Sequence, residues 1–557
     1  MLMLARFTLG AALGTIATSV GAATLLSNAR IHTMDAAHPE ATAMAWDDGG
    51  MLLAVGDTVV LQRQHPDARR IDAAGVTIVP GLIDAHGHML GLGLTLTQVD
   101  LVGSASVADV IARLRAFAAK LPKDAWLVGR GWDQNRWAGG AFPTAADLDA
   151  VFPDRPVYLR RVDGHAAWAN TAALTRAKKP LDGDWQPEGG RIERKDGKAT
   201  GILVDGATDL VADAIPPLSE TQTRDAYKSA FAKAVAAGLT SVHDPGTSLA
   251  DFKILQKLAA ADEIPLRLYE MADGDNAALD WLCEQGGHWS EPSGHLRMQT
   301  VKLYMDGALG SRGAALLSDY SDDHGNRGIF VTDPNAYRTA VEKAHRCHIQ
   351  VATHAIGDRA NRHVLDTYQA VLGKDAATTD HRWRIEHAQI IALPDIERFA
   401  TLHLIASMQP THATSDMPWA QKRIGAERLK GAYAWQRFIH AGVPIAFGSD
   451  FPVENVNPML GLYAAVTRQD LAGHPPGGWL PDQKVSREQA LAGFTRDAAY
   501  AAFMEDEVGA LKPGLRADFV MLDGDPMTLP ARRIADLKPL STWVDGKPVY
   551  RAPATGH

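Results

Sequence analysis

The sequence predicts an α/β protein built on a (β/α)8 TIM barrel, with a small β-sandwich domain assembled from both termini and a long insert after the first barrel strand. Three observations support this. Eight short β-like runs follow one another between residues 76 and 450, several of them trailed by helix-like segments, and eight is the number of strands such a barrel requires. The two ends of the chain share one pattern, in which apolar and polar residues alternate around Gly, Asn and Asp turns as in short antiparallel strands. Between the first and second runs lie more than a hundred residues rich in Gly, Pro and Trp. Inserts of that length in barrels usually carry function, as lids or substrate walls.

The chain has 557 residues, 46% hydrophobic and 22% charged, with a formal charge of -9. These values fit an ordinary globular protein with a large core and exclude disordered and fibrous classes. No run of Lys or Arg marks a nucleic-acid or anionic-lipid surface, so neither partner is expected, and the partner is a small-molecule substrate. A homo-oligomer is left open by the sequence.

Taken in order, residues 1–23 (MLMLARFTLGAALGTIATSVGAA) carry one early Arg6, a continuous apolar stretch and small residues at Val20, Ala22 and Ala23. This reads as a secretory signal cleaved near Ala22 or Ala23, with an uncleaved anchor as the alternative, and it implies a periplasmic or secreted protein without stable membrane insertion. The stretches TLLSNARIHTMD and AMAWDDGGMLLAVGD near the N-terminus match GALKPGLRADFVMLDGDP and STWVDGKPVY near the C-terminus in kind. They predict one composite β domain from residues 24–78 and 505–553. The barrel takes 79–504. Its runs are VTIVPGLIDAHGH, GLTSVHD, PLRLYEM, QTVKLYMDG, QVATHAIGD, RWRIEHAQ, LIASMQP and PIAFGSD, with the insert at about 121–206. ETQTRDAYKSAFAKAVAAG and VTDPNAYRTAVEKAHR place apolar residues at helical spacing after capping residues. Cys283 and Cys347 are the only cysteines. Their number excludes a disulfide framework and a thiolate zinc cluster; one bridge could form, but two separately buried thiols are expected.

The first run ends in His86-Gly87-His88, and side chains two apart on a strand point the same way, so both imidazoles should stand together at the strand's tip. Other runs carry Lys302 (fourth), His354 (fifth), His387 (sixth) and Asp450 (eighth). Each has an ordinary reading: a core histidine bonded to a carbonyl, a lysine reaching solvent, an aspartate capping a turn. A barrel, however, gathers the C-terminal ends of its strands around one mouth, where active sites lie. With so few cysteines, any metal there must be held by nitrogen and oxygen.

This constellation resembles the amidohydrolase superfamily: PGLIDAHGH, THAIGD, IEHAQ, GSDFP and KPGLRADFV stand in that superfamily's order. VKLYMDGALGSR, GRGWDQNRW, RVDGHAAWAN and PEGGRIE are similar to its YtcJ-like branch, amidohydrolase family 3. The resemblance implies that His86, His88 and Asp450 hold one metal, that His354 and His387 hold a second, and that Lys302 bridges them once its amine has become a carbamate. A single-metal site with Lys302 idle is the alternative. The implied cofactor is one or two divalent ions, zinc by its taste for imidazole and carboxylate. The implied reaction is hydrolysis of a non-peptide carbon–nitrogen bond, in an amide or N-substituted formamide, with Asp450 as general base. Ester or lactone hydrolysis, deamination, and a non-catalytic binding protein are the rivals. His165 in the RVDGHAAWAN motif is expected to contact substrate, as are Trp132 and Arg312, with core packing (for Trp132 and its neighbour Trp137) and loop bracing (for Arg312) as competing roles. His243 is expected to play a supporting part only.

Overall fold

The structure is a computed structural model, and its described residues are 23–553 apart from 96–97, 120, 123–124 and 275. The expected signal segment, but for Ala23, lies outside them. Among the described residues no helix is long and apolar enough to cross a membrane.

All eight runs are strands: Leu82–Asp84, Leu239–Thr247, Arg267–Asp273, Leu296–Tyr304, Gln350–Ala355, Arg384–His387, Ile405–Met408 and Ile445–Phe447. They pair in parallel and in chain order. The first and eighth meet across the closing seam, where Ala85 N–H donates to the Phe447 carbonyl (3.0 Å) and Asp450 N–H to the His86 carbonyl (2.6 Å). The Asp84 carboxylate reinforces the seam by accepting from Ser449 N–H (3.0 Å) and Oγ–H (2.6 Å). Helices cover the outside, and both helices read from the sequence are present. Glu220–Ala236 starts at a Ser219/Gln222 capping box, and Pro334–Arg346 starts at Asp333, whose side chain accepts from two backbone N–H groups.

The apolar run 76–83 is not one strand but two. Thr77–Pro80 pairs with Arg30–His32 and Phe519–Leu522 in the terminal sheet, and only Leu82–Asp84 belongs to the barrel. Both halves are buried, so apolarity does not reveal the break. The chain passes between the sheets at Gly81, where a Cβ would sit 2.1 Å from Thr240 Oγ1. The terminal unit has a six-stranded sheet drawn from both ends of the chain and a four-stranded sheet drawn from residues 24–72. Leu26, Met44 and Trp46 pack there against Phe519 and Trp543, whose rings stack 5.1 Å apart.

The insert forms its own six-stranded sheet, which takes Val99–Asp100, Leu127–Trp132, Val157–Arg161, Ala166–Ala169, Lys198–Asp205 and Gly190–Lys195, and so begins upstream of residue 121. Trp132 is the centre of its core: fully buried, ringed by Trp137, Phe142 and Trp168, with Nε1–H donating to the Leu159 carbonyl (2.8 Å). It packs the insert and does not line the cavity, so the packing role stands in place of the expected contact.

The cysteines also differ from expectation. Cys283, in the helix Asn276–Glu284, and Cys347, capping Pro334–Arg346, stand with Cα atoms 5.2 Å apart and form a disulfide. Sequence could not show that two helices 64 residues apart pack side by side.

Candidate metal centre

His86 and His88, two and four residues past the end of the first strand, stand together in the irregular backbone that follows it, with ring centroids 5.5 Å apart. His387, the last residue of the sixth strand, is 5.0 Å from His86 and 4.6 Å from His354 of the fifth. Lys302 of the fourth strand brings Nζ to 3.3 Å from His86 Nε2. Asp450, just past the eighth strand, places Oδ1 at 3.1 Å from His88 Nε2 and 3.7 Å from His86 Nε2. The six residues thus converge from five strands. His387 and Asp450 both sit in the left-handed backbone region, at φ 71° and 60°. Holding a non-glycine residue there costs on the order of 1 kcal/mol, a strain typical of functional sites.

A seventh residue joins them that the sequence did not single out. His412, on the helix Pro410–Asp416 after the seventh strand, stacks on His387 (5.7 Å, 16°) and brings Nε2 to 3.6 Å from Asp450 Oδ2. Ligand atoms of His86, His88 and Asp450 all lie within 4.8 Å of one another, and so do those of His387, His412 and Asp450. His354 Nε2 and His412 Nε2 are buried without a hydrogen-bond partner. Buried polar atoms seldom stay unpaired. Two such imidazole nitrogens beside the clustered His86, His88, His387 and Asp450 ligand atoms make a nitrogen and oxygen donor set that fits a divalent cation such as zinc.

The protonation states suit ligands. Burial chiefly, with the neighbouring Lys302 charge, pulls His86 well below its ordinary pKa, and burial with nearby positive groups does the same for His354 and His387. These imidazoles are neutral at pH 7 and keep a lone pair for a metal. Burial pushes Asp450 up, but the hydrogen bond from His88 and the electrostatic pull of the surrounding histidines outweigh it and hold the carboxyl below its ordinary range. Burial brings the Lys302 amine down to about 8.

A second layer fixes the rings. Glu386 Oε2 accepts from His86 Nδ1 at 2.5 Å, and Gln409 Oε1 accepts from His387 Nδ1 at 2.8 Å, which leaves each Nε2 for the centre. Arg384, fully buried, donates to Glu386 Oε1 (2.7 Å), to the Ala85 carbonyl (2.7 Å) and to His243 Nδ1 (3.0 Å). His243 is therefore held in a supporting role.

The insert stands over the centre and forms one side of an open-mouthed cavity of about 1170 Å³ whose wall includes His88, Lys302, His412, Asp450 and, from the insert, His165 and Arg130. His165 comes within 5.1 Å of the His354 ring, and its Nδ1–H donates to Asp205 Oδ1 (2.8 Å). Burial lowers its pKa, but that bond and the surrounding carboxylates prevail and raise it. Arg312 does not line the cavity. Its guanidinium reaches Asp322 Oδ2 at 3.1 Å and Asp323 Oδ2 at 3.9 Å, so it braces its own loop, which corrects the expectation of a substrate contact.

Comparison with known proteins agrees with this geometry. Residues 69–550 match the profile of an amidohydrolase family. The chain is 32% identical over 518 residues to YtcJ of Bacillus subtilis (strain 168), which bears the name of an amidohydrolase, covering 91% of this chain and 96% of that one. It is 29% identical to the N-substituted formamide deformylase of Arthrobacter pascens, covering 96% and 98%. Among solved structures, an uncharacterized metal-dependent hydrolase from Pyrococcus horikoshii superposes with a TM-score of 0.75 at 27% identity, covering 92% of this chain and 99% of that one.

Proposed function

From the premise that this chain belongs to the amidohydrolase family, we propose that it is an exported, metal-dependent hydrolase that cleaves a non-peptide carbon–nitrogen bond in an amide or N-substituted formamide. The observation that carries this reading is the convergence of His86, His88, Lys302, His354, His387 and Asp450 on one cavity, with unpartnered ligand atoms facing one another. The relative named N-substituted formamide deformylase, matched over nearly its whole length, supports the choice of bond. The Cys283–Cys347 disulfide supports export, since such bonds persist in oxidising compartments.

His86, His88 and Asp450 would hold one ion, and His354 and His387, with His412 beside them, a second. A divalent ion held there would supply Lewis-acid polarisation of the scissile carbonyl and would lower the pKa of a water to about 7. Asp450 takes the proton of the attacking water on its open carboxylate and returns it to the leaving nitrogen. An ammonium at Lys302 has donors only and the wrong charge for a ligand. Its lowered pKa makes the neutral amine accessible, and addition of that nitrogen to carbon dioxide with loss of a proton gives an anionic carbamate. His165, oriented by Asp205, donates a hydrogen bond to the substrate carbonyl from the roof.

The test is hydrolysis of a panel of formamides, other amides and matched esters by purified protein, before and after chelation and zinc restoration. Activity on the amides that is lost with chelator and regained with metal is the expected result. Activity indifferent to metal, or confined to the esters, overturns the reading. Export is checked by fractionation and the intact mass of the mature chain.

A further inference from the structure

The insert turns one face of its sheet to the cavity, and on two adjacent parallel strands that face carries Arg130 and Arg160 in direct register. Like charges side by side in a sheet repel, so such a pair is costly unless something neutralises it. Asp100 and Asp209 stand near the pair, but neither closes an ion pair with it. Arg130 gives one N–H to the Val162 carbonyl (2.8 Å) and Arg160 one to the Gly164 carbonyl (3.2 Å), and among the described residues neither forms an ion pair with a carboxylate.

The nearby acids are otherwise engaged. Asp163 is taken by Arg161 (2.5 Å), as is Asp133. Asp100, in register with Arg130 on its other side, turns its carboxylate to Val102 N–H (2.9 Å), and Asp209 faces the Thr208 hydroxyl (3.4 Å). Burial first, and then the neighbouring Arg160 charge, outweigh the attraction of Asp450, Asp163 and Asp100 and pull Arg130 down to about 10.

Farther along the same strand face, and along the same cavity wall, follow Val128 and Trp126, with Phe117 and Leu121 beside them. From the metal centre outward the wall thus runs from ligands to two unpaired guanidinium groups and then to an apolar end. A planar guanidinium fork matches a carboxylate through two parallel hydrogen bonds.

We propose that Arg130 and Arg160 hold the carboxylate of the substrate, and that the substrate class is an N-acylated or N-formylated amino acid with an apolar side chain. This rests on the reading of the site as a carbon–nitrogen hydrolase.

The experiment compares N-formyl and N-acetyl derivatives of leucine and phenylalanine, each as free carboxylate and as the matched carboxamide, on the zinc-loaded enzyme. Wild type is expected to favour the carboxylate by about tenfold or more in kcat/KM, the scale of a hydrogen bond to a charged group. Arg130→Gln and Arg160→Gln should each shrink that ratio, chiefly through KM, and the double variant should bring it near unity, with Arg130→Lys intermediate. Arg160 is exposed, so its replacement leaves the fold intact and keeps the test decisive. Equal handling of the two members by wild type, or a preference that survives the double variant, overturns the proposal. If wild type cleaves neither member, the hydrolase reading fails on these substrates, and the arginine pair is judged by calorimetry alone. Binding of N-acetylleucine but not of its carboxamide, lost in the double variant, would sustain the site; no binding would end it.

Discussion

Replacing Glu386 by Gln tests whether the convergent histidines form a prepared metal centre. Glu386 is fully buried between two cationic or hydrogen-bonding groups, with Oε2 at 2.5 Å from His86 Nδ1 and Oε1 at 2.7 Å from Arg384 Nε. The carboxylate fixes the His86 tautomer with the proton on Nδ1 and raises the basicity of Nε2. A glutamine keeps the shape but loses the charge, and charge-assisted bonds are about twice as strong as neutral ones. Loss of such an outer partner costs about 10- to 100-fold in metal affinity, or roughly 1.4 to 2.8 kcal/mol. The variant also leaves Arg384 charged and buried without its carboxylate, a defect of about 3 to 5 kcal/mol where no rearrangement relieves it. The assay is competition for zinc against a chromogenic chelator at neutral pH, with near-UV circular dichroism to establish that the variant is folded. A folded Glu386→Gln protein that binds zinc within threefold of wild type would refute the idea that the second layer prepares His86 as a ligand.

Asp450→Asn should lower kcat by about 10²- to 10⁴-fold, the range for a lost general base, while much of the zinc is retained; an unimpaired variant removes Asp450 from the mechanism. Lys302 should be carboxylated more readily as pH rises through about 8, because only the neutral amine reacts. With that pKa about a tenth of the amine is neutral at pH 7, some 300-fold more than for an ordinary lysine at 10.5. The ¹³C signal of a carbamate formed from labelled bicarbonate should grow between pH 7 and 9, and no signal at either pH would refute it. Joint replacement of Cys283 and Cys347 by Ser should cost about 4 kcal/mol, since the bridge closes a loop of 64 residues. A urea midpoint unchanged from wild type would show that the bond contributes nothing. Trp132→Ala should cost about 3 to 5 kcal/mol as a core truncation, read from the same denaturation series, and a loss under about 1 kcal/mol would contradict its central place in the insert.

The barrel was legible because each strand is a short apolar run, and a parallel sheet buried on both faces needs no other signal. The same feature concealed the break at Gly81, since strands of two different sheets are equally apolar when both are buried. His86 and His88 were read as neighbours from the period of a strand; they are neighbours, but in irregular backbone past the strand's end at Asp84. His412 could not: it stands on a helix that follows the seventh strand, three residues past Gln409, and nothing local to its own sequence says that the turn aims it back at His387. Glu386 was adjacent in sequence to a predicted ligand, but on a strand adjacent residues face opposite sides, and its partner is a different histidine 300 positions away. Trp132 and Arg312 were misread for a common reason. Large aromatic and guanidinium side chains serve packing and recognition equally well, and only the enclosing residues decide between them.

The placement of the insert explains a motif that neither metal binding nor the barrel accounts for. The loop after the fourth strand, DGALGSRG, carries three glycines, and each lies where the insert presses on it. A Cβ at Gly307 would fall 2.5 Å from Asp205 Oδ2, one at Gly313 would fall 2.4 Å from the same atom, and one at Gly310 would fall 2.9 Å from Arg161 Nη1. Asp205 is the carboxylate that orients His165, and Arg161 is pinned by Asp133, Asp163 and Gln134. Asp306, at the start of the loop, turns inward instead and accepts backbone N–H groups from Ala315, Ile356 and Gly357 (2.7 to 2.9 Å). The loop is thus clamped to the fifth strand from within and stripped of side chains without, so that the insert can seat against it. The barrel supplies the candidate metal ligands, and this contact sets where His165 stands relative to them. The roof therefore helps to set the geometry of the cavity, and the proposed recognition by Arg130 and Arg160 would be fixed relative to Asp450 through the same contact.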